Sequence, residues 1–350
     1  MQDIITGIQQ VGIGVADAEE AKLYYKALFG MDVLVFDDSA EANLMTRYTG
    51  NEVHQRRAIL SLNMSGGGGF ELWQFTSRKA AKPIQVPRLG DIGIFAVKIK
   101  SPDVAAAHLH FCKRKAEKVS PLFDSPDDRK HFWLTDKYGN HFNIVEGDEW
   151  FKKRNTICGG VVGVVIGVSD MQKALHYYKD VLGISQTVYS GIAPAVDVPE
   201  SSHGQTFHRV LLKKEVANSG AFSKLLGAVQ IELLEVKNRK PARIFEHRFW
   251  GDCGFIHVCF DVLHMDHVKQ MARQAGYPFT VDSNNSFDMG NSAGRFCYVE
   301  DYDGTLTELV ETHKVPIFKK LGLYFNLKKR KHDRPLAKWM IELLGLSKVR

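Results

Sequence analysis

The chain repeats itself, and this limits its possible folds more than any other feature. Val11-Gly-Ile-Gly-Val-Ala-Asp17 returns 153 residues later as Val164-Val-Ile-Gly-Val-Ser-Asp170. Both copies alternate Val, Ile and Gly, as a strand does. Both lead into apolar residues at helical spacing: Ala21, Tyr24, Tyr25 and Leu28, then Ala174, Tyr177, Tyr178 and Val181. Gly30 and Gly183 follow as helix stops. Two later runs also match, FELWQF at 70–75 and IELLEV at 231–236.

A second pair of repeats interleaves with the first. Ile94–Ile99 matches His257–Val262, and each run precedes a helical stretch. Each unit then closes on a turn and strand, TDKYGNHFNIVE at 135–146 and EDYDGTLTELVE at 300–311. Asp-x-x-Gly before an alternating apolar run signals a hairpin. The chain therefore reads as four strand–helix–strand modules near 5–75, 90–147, 159–237 and 252–312, an α+β protein. Basic polar linkers at 77–91 and 237–252 separate modules within each half. The polar stretch 148–156 marks a boundary between domains 1–150 and 157–312.

Charge divides just as sharply. Of 46 Lys+Arg and 40 Asp+Glu, residues 312–350 hold 11 and 2, so the basic character belongs to the tail. Residues 313–350 read as a basic helical tail. Asp333 and Pro335 are placed to start a helix with Trp339, Met340, Leu343 and Leu344 on one face. An accessory helix packed over the barrel mouths, or a dimer interface, is the favoured reading. Contact with a membrane surface is the alternative, and no nucleic-acid partner is expected. The five cysteines are scattered without a CxxC pair, which excludes a zinc finger or a disulfide framework. The N-terminus shows no secretory pattern and no apolar run approaches a membrane span, so a cytoplasmic location is expected.

The four openings and closing strands resemble the vicinal oxygen chelate superfamily, which includes glyoxalase I, methylmalonyl-CoA epimerase, extradiol dioxygenases and bleomycin-resistance proteins. The resemblance covers about residues 5–312. It implies βαβββ modules paired into two incomplete barrels, each curled around a metal position. In that superfamily the ligands come from the first and last strands of each module. Carried onto this chain, module 1 offers Gln10 and Glu71, and module 4 offers His257 and Glu308. Module 2 offers Ile94, or Ala96 under a two-residue shift, with Asn143; module 3 offers Gly163 and Glu232. Ile, Ala and Gly side chains cannot ligate, so one competent site (modules 1 and 4) and one degenerate site (modules 2 and 3) are expected. Glu232 reads as a relic or a solvated strand residue.

Gln10, Glu71, His257 and Glu308 form the ligand set of animal-type glyoxalase I, three oxygens and one imidazole. Such a set suits one divalent Ni, Co, Zn, Mn or Fe ion. By that resemblance Glu308 is the base, Glu71 its opposite number, and a small molecule that chelates the metal is the substrate. The reaction expected is an isomerisation, epimerisation or lysis begun by removing a proton beside a carbonyl. Two glutathione-gripping positions depart from glyoxalase I: Gly14 stands for its arginine and Phe75 for its asparagine. A glutathione adduct is therefore not the expected substrate. An extradiol or hydroxyphenylpyruvate-type Fe(II) dioxygenase is the rival enzyme, but its first histidine falls at Gly163. A metal-free, resistance-type binding protein is the third reading. Three smaller features read as structural: Ser65–Gly69 as a flexible loop, and His54–Arg57 and Phe207–Arg209 as salt-bridged surface strands.

Overall fold

The computed structural model describes residues 4–114, 117–152, 155–199, 202–284, 287–288, 293–318, 323–327 and 334–350. Module 1 comprises β1 (Ile5–Gly14), α1 (Ala18–Phe29), β2 (Val33–Glu41), β3 (Gln55–Leu62) and β4 (Gly69–Phe75). Module 2 comprises β5 (Gly93–Ser101), α2 (Val104–Cys112), the short β6 (Lys118–Val119) and β7 (Phe123–Asp124), β8 (Lys130–Thr135) and β9 (His141–Glu146). Module 3 comprises β10 (Val161–Gly167), α3 (Met171–Leu175, continued by a wider turn to Val181), β11 (Gln186–Pro194), β12 (Thr206–Lys214), α4 (Ser223–Leu226) and β13 (Val229–Val236). Module 4 comprises β14 (Gly254–Val262), α5 (Met265–Gln274), the short β15 (Val281–Asp282) and β16 (Phe287–Asp288), β17 (Ala293–Glu300) and β18 (Leu306–Phe318). The tail adds β19 (Leu323–Asn326) and α6 (Lys338–Glu342).

Two curled sheets result, and each takes one module from either side of the 148–156 boundary. The first runs β15-β17-β18-β14-β1-β4-β3-β2, joining modules 4 and 1. The second runs β11-β12-β13-β10-β5-β9-β8-β6, joining modules 3 and 2. The halves are tied in the other sense by the repeated motifs. Asp17 caps α1 by accepting the Glu19 and Glu20 N–H groups, worth about 1 kcal/mol, and Gly30 ends it at φ +69. That helix carries Tyr25 to Asp136 in the module 2 turn, a 2.7 Å hydrogen bond. In the same way Tyr178 reaches Asp301 in the module 4 turn at 3.1 Å. In both turns the other carboxylate oxygen accepts two backbone N–H groups. The repeated tyrosine and the repeated Asp-x-x-Gly are thus two ends of one buried contact. One hydrophobic cluster fills the space between the sheets, from Tyr25, Phe29 and Phe70 to Phe111, Phe132 and Phe142.

Two expectations need correction. Ser65–Gly69 is not a flexible surface loop but a buried crossing. Gly67 N–H donates to Leu225 O and Gly68 N–H to Val161 O, and a Cβ on Gly67 would lie 2.7 Å from Gly160 C. Glycine is needed there because two backbones touch. The tail is less helical than its composition suggests. β18 extends to Phe318 and pairs with β19, and α6 begins only at Lys338; Asp333 lies outside the described residues. Trp339, expected inward, is 60% exposed, whereas Ile341 is 1% exposed. The segment ends against module 1, with Val349 N–H donating to Asp32 O and Lys348 paired with Asp32 at 2.6 Å. Among the described residues no helix is long and apolar enough to cross a membrane.

Candidate metal centre

Sheet register builds the centre. β1 lies antiparallel to β14 and parallel to β4, so Gly12 sits opposite His257 and beside Glu71. Across β14, Cys259 sits beside Glu308. Strand alternation puts Gln10, Gly12 and Gly14 on one face. The glycines are there for room. A Cβ on Gly12 would lie 2.4 Å from His257 Cε1, so the imidazole packs on bare backbone. A Cβ on Gly14 would lie 1.9 Å from Asp252 O, so no arginine fits at that position.

The four expected residues converge, and all are buried. His257 Nε2 lies 3.1 Å from Glu308 Oε2 and 3.3 Å from Glu71 Oε2. Gln10 Nε2 donates to Glu308 Oε2 at 3.4 Å. One ligand atom each from Glu71, His257 and Glu308 falls within 4.8 Å of the others. Two polar atoms are left over. Gln10 Oε1 and His257 Nε2 are buried without a hydrogen-bond partner. Orphaned buried acceptors are costly and rare, so they mark a place prepared for another group. With Nδ1 3.4 Å from Tyr298 Oη, a neutral His257 that donates from Nδ1 would offer the Nε2 lone pair to an ion between the carboxylates. Oxygen, oxygen, oxygen and nitrogen around one point fit a divalent ion.

Without an ion the centre is held by a proton. Burial disfavours a charged His257, but Glu308 and then Glu71 outweigh it, and the pKa rises from 6.5 to about 9. A raised histidine pKa contributes stability that is complete below pH 6.5 and lost as pH climbs through about 9. The metal-free protein is expected to lose on the order of 3 kcal/mol across that window. Thermal melts in chelator from pH 6 to 9.5 check this. A flat profile would mean that the imidazole is not held protonated between the two acids.

The centre opens on a cavity of ≈ 370 Å³. Phe36, Trp73, Trp250, Phe296 and Tyr298 wall it, and Arg56 at its rim is paired with Asp38 at 2.8 Å. Trp250 packs edge-on against Trp73 at 4.2 Å and lies nearly parallel to His257 at 6.2 Å. Sequence reasoning missed Tyr298 and Trp250. Tyr298 was findable, since it pairs directly with Glu308 across β17 and β18. Trp250 comes from an irregular linker and leaves no periodic signal.

At the corresponding place in the other sheet the described residues leave little space. β5 and β9 pair Lys98 with Asn143 as β14 and β18 pair Cys259 with Glu308. Ala96, not Ile94, therefore corresponds to His257. Gly163 has no space for a side chain, its Cβ position being 2.3 Å from Gln230 O. Glu232 is not solvated: it is 2% exposed, with Lys98 Nζ at 2.6 Å and Arg209 Nη2 at 2.6 Å. Burial favours its neutral form, yet Lys98 and Arg209 hold its carboxyl well below the usual range. Arg209 is likewise a core residue rather than a surface one, bonded also to Asp197 at 2.7 Å. The space left there is ≈ 30 Å³. Lys98 and Arg209 supply the positive charge beside Glu232 in this barrel.

Comparison with known proteins agrees with this architecture. Residues 164–311 match the model of the Glyoxalase/Bleomycin resistance protein/Dioxygenase superfamily. No curated protein matches the chain. Among solved structures, a glyoxalase I variant from Zea mays aligns over 87% of this chain and 93% of its own, at 13% identity and a TM-score of 0.55. A proposed dioxygenase from Bacillus subtilis aligns over 88% and 86%, at 13% identity and a TM-score of 0.56. At such identity these likenesses speak for the fold.

Proposed function

We propose that the chain, whose residues 164–311 match the model of the Glyoxalase/Bleomycin resistance protein/Dioxygenase superfamily, is a divalent-metal-dependent isomerase, epimerase or lyase that removes a proton beside a carbonyl. The observation that carries this reading is the pair of orphaned atoms, Gln10 Oε1 and His257 Nε2, buried beside two carboxylates. Gln10, Glu71, His257 and Glu308 would hold the ion, which when bound would act as a Lewis acid on a chelating carbonyl oxygen. Glu308 is the base: Oε2 takes the carbon-bound proton and can return it to a neighbouring atom. Gln10 Nε2 orients that carboxylate. Glu71 faces it across the same space and takes the reverse transfer. The aromatic walls exclude water from the carbanion-like charge.

The substrate is an apolar small molecule rather than a glutathione adduct. Asp252 backbone covers Gly14, and Phe75 is buried against Trp73 at 5.3 Å. Both positions that would grip the tripeptide are closed. The dioxygenase reading loses support from topology. Position 163 lies on β10 in the other sheet, where it cannot complete a triad with His257 and Glu308.

The test begins with metal content by elemental analysis of protein purified without chelator or His tag. Reconstituted protein is then incubated with 2-hydroxy carbonyl compounds in D₂O and followed by NMR. C–H to C–D exchange that Glu308→Gln removes without removing the metal supports the reading. No metal after reconstitution overturns it and leaves the resistance-type binder. Uptake should also be proton-coupled, since the ion must displace the proton of His257. Affinity is expected to rise about tenfold per pH unit up to about pH 9. Calorimetry in buffers of different ionisation enthalpy measures the proton released.

A further inference from the structure

Lys100 on β5 is a buried amine remote from this chemistry, 4% exposed. Its stem lies in a slot cut by two glycines. A Cβ on Gly147 would sit 2.9 Å from Lys100 Cβ, and one on Gly159 would sit 3.0 Å from Lys100 Cγ. Trp150 closes the slot, its ring centroid 5.0 Å from Nζ, and is fixed by donating to Gly147 O at 3.0 Å. The slot delivers Nζ into a cavity of ≈ 290 Å³ between residues 149–151, α4 and α6. There Nζ donates to Glu149 O at 2.7 Å. Glu149 Oε2 is buried with no hydrogen-bond partner. A Cβ on Gly227, held at φ +78, would stand 3.8 Å from both Nζ and Glu149 Oε2, so glycine keeps that space open. Lys224 and Lys338 stand exposed at the edge.

We infer that this cavity is a second site, in which Lys100 Nζ condenses with an anionic aromatic aldehyde. Each part of that ligand has a counterpart. The flat ring suits the space beside Trp150 and Phe151, whose size fits one substituted ring. A phosphate or carboxylate is met by Lys224 and Lys338. The aldehyde carbon faces an amine that is partly free of its proton. Burial pulls the Lys100 pKa down to about 8, with Glu149 and Asp148 opposing, so about a tenth is neutral at pH 7. The Nζ lone pair attacks the carbonyl carbon and the displaced proton passes to Glu149. Glu149 hands it to the oxygen to give the carbinolamine, then relays the second Nζ proton to the same oxygen, which leaves as water. One C=O bond is exchanged for one C=N bond, with no change of oxidation state.

Pyridoxal 5′-phosphate with borohydride reduction and peptide mapping tests the site. Lys100 is expected to label first among the lysines, more completely as pH rises through 8. The surface double variant Lys224→Ala/Lys338→Ala is expected to weaken labelling at Lys100 about tenfold, as is replacing the probe by uncharged pyridoxal. Lys100→Met keeps the stem and should lose the label. Label spread over exposed lysines equally in wild type and Lys100→Met overturns the site. So does Lys100 labelling that neither the double variant nor loss of the phosphate weakens.

Discussion

Bound metal is expected to fall from about one ion per chain in the wild type to almost none in His257→Ala, and proton exchange with it. The change removes the only nitrogen donor and the cation that balances Glu71 and Glu308 when no ion is present. Gln10→Ala is milder, since two carboxylates and the imidazole remain. It should weaken affinity while leaving a protein that fills at higher metal concentration. Elemental analysis and metal titration of the three proteins in parallel separate these outcomes. Metal retained by His257→Ala and lost by Gln10→Ala would place the ion elsewhere and sink the four-residue centre.

Glu232→Ala is expected to destabilise the protein by about 3–5 kcal/mol without touching metal content. It removes the carboxylate shared by Lys98 and Arg209, and Lys98 is then a buried ammonium with no acid beside it. Arg209 keeps Asp197 at 2.7 Å, so the larger penalty falls on the lysine. Adding Lys98→Met to Glu232→Leu should therefore recover most of the loss, because an apolar pair of similar volume avoids the desolvation cost. Denaturant titrations measure both. An unchanged melting midpoint in Glu232→Ala would mean that water reaches the ammonium and that the barrel is not dry.

Sequence made the modules legible because their boundaries rest on local chemistry: Asp17 and Asp170 as caps, Gly30 and Gly183 as stops, Asp136 and Asp301 as turns. The four converging residues were legible because the family resemblance assigns ligands to the first and last strands of each module, and strand parity keeps those side chains on one face. What stayed hidden depends on the pairing between strands far apart in the chain. The role of Lys98 appears only when β5 and β9 are set in register, which places it beside Asn143. Trp250 lies in a linker whose path is set by the barrels it joins. The tail misled because Asp333, Pro335 and the apolar residues after them suggested an accessory helix. Its alternating Val315, Ile317, Leu323 and Phe325 instead extend a sheet.

The crossed pairing of modules also sets an order of assembly. Modules 2 and 3 are neighbours in the chain and can close their sheet by about residue 236, while the last module is still being synthesised. Until then β1 waits with one ten-residue edge unpaired, since its partner β14 begins at Gly254. An open strand edge of that length is a template for intermolecular association. A ribosome stalled before module 4 thus presents a half-built molecule that must be shielded. A truncation before β14 is complete at Val262 would be recognised by its solubility before its activity.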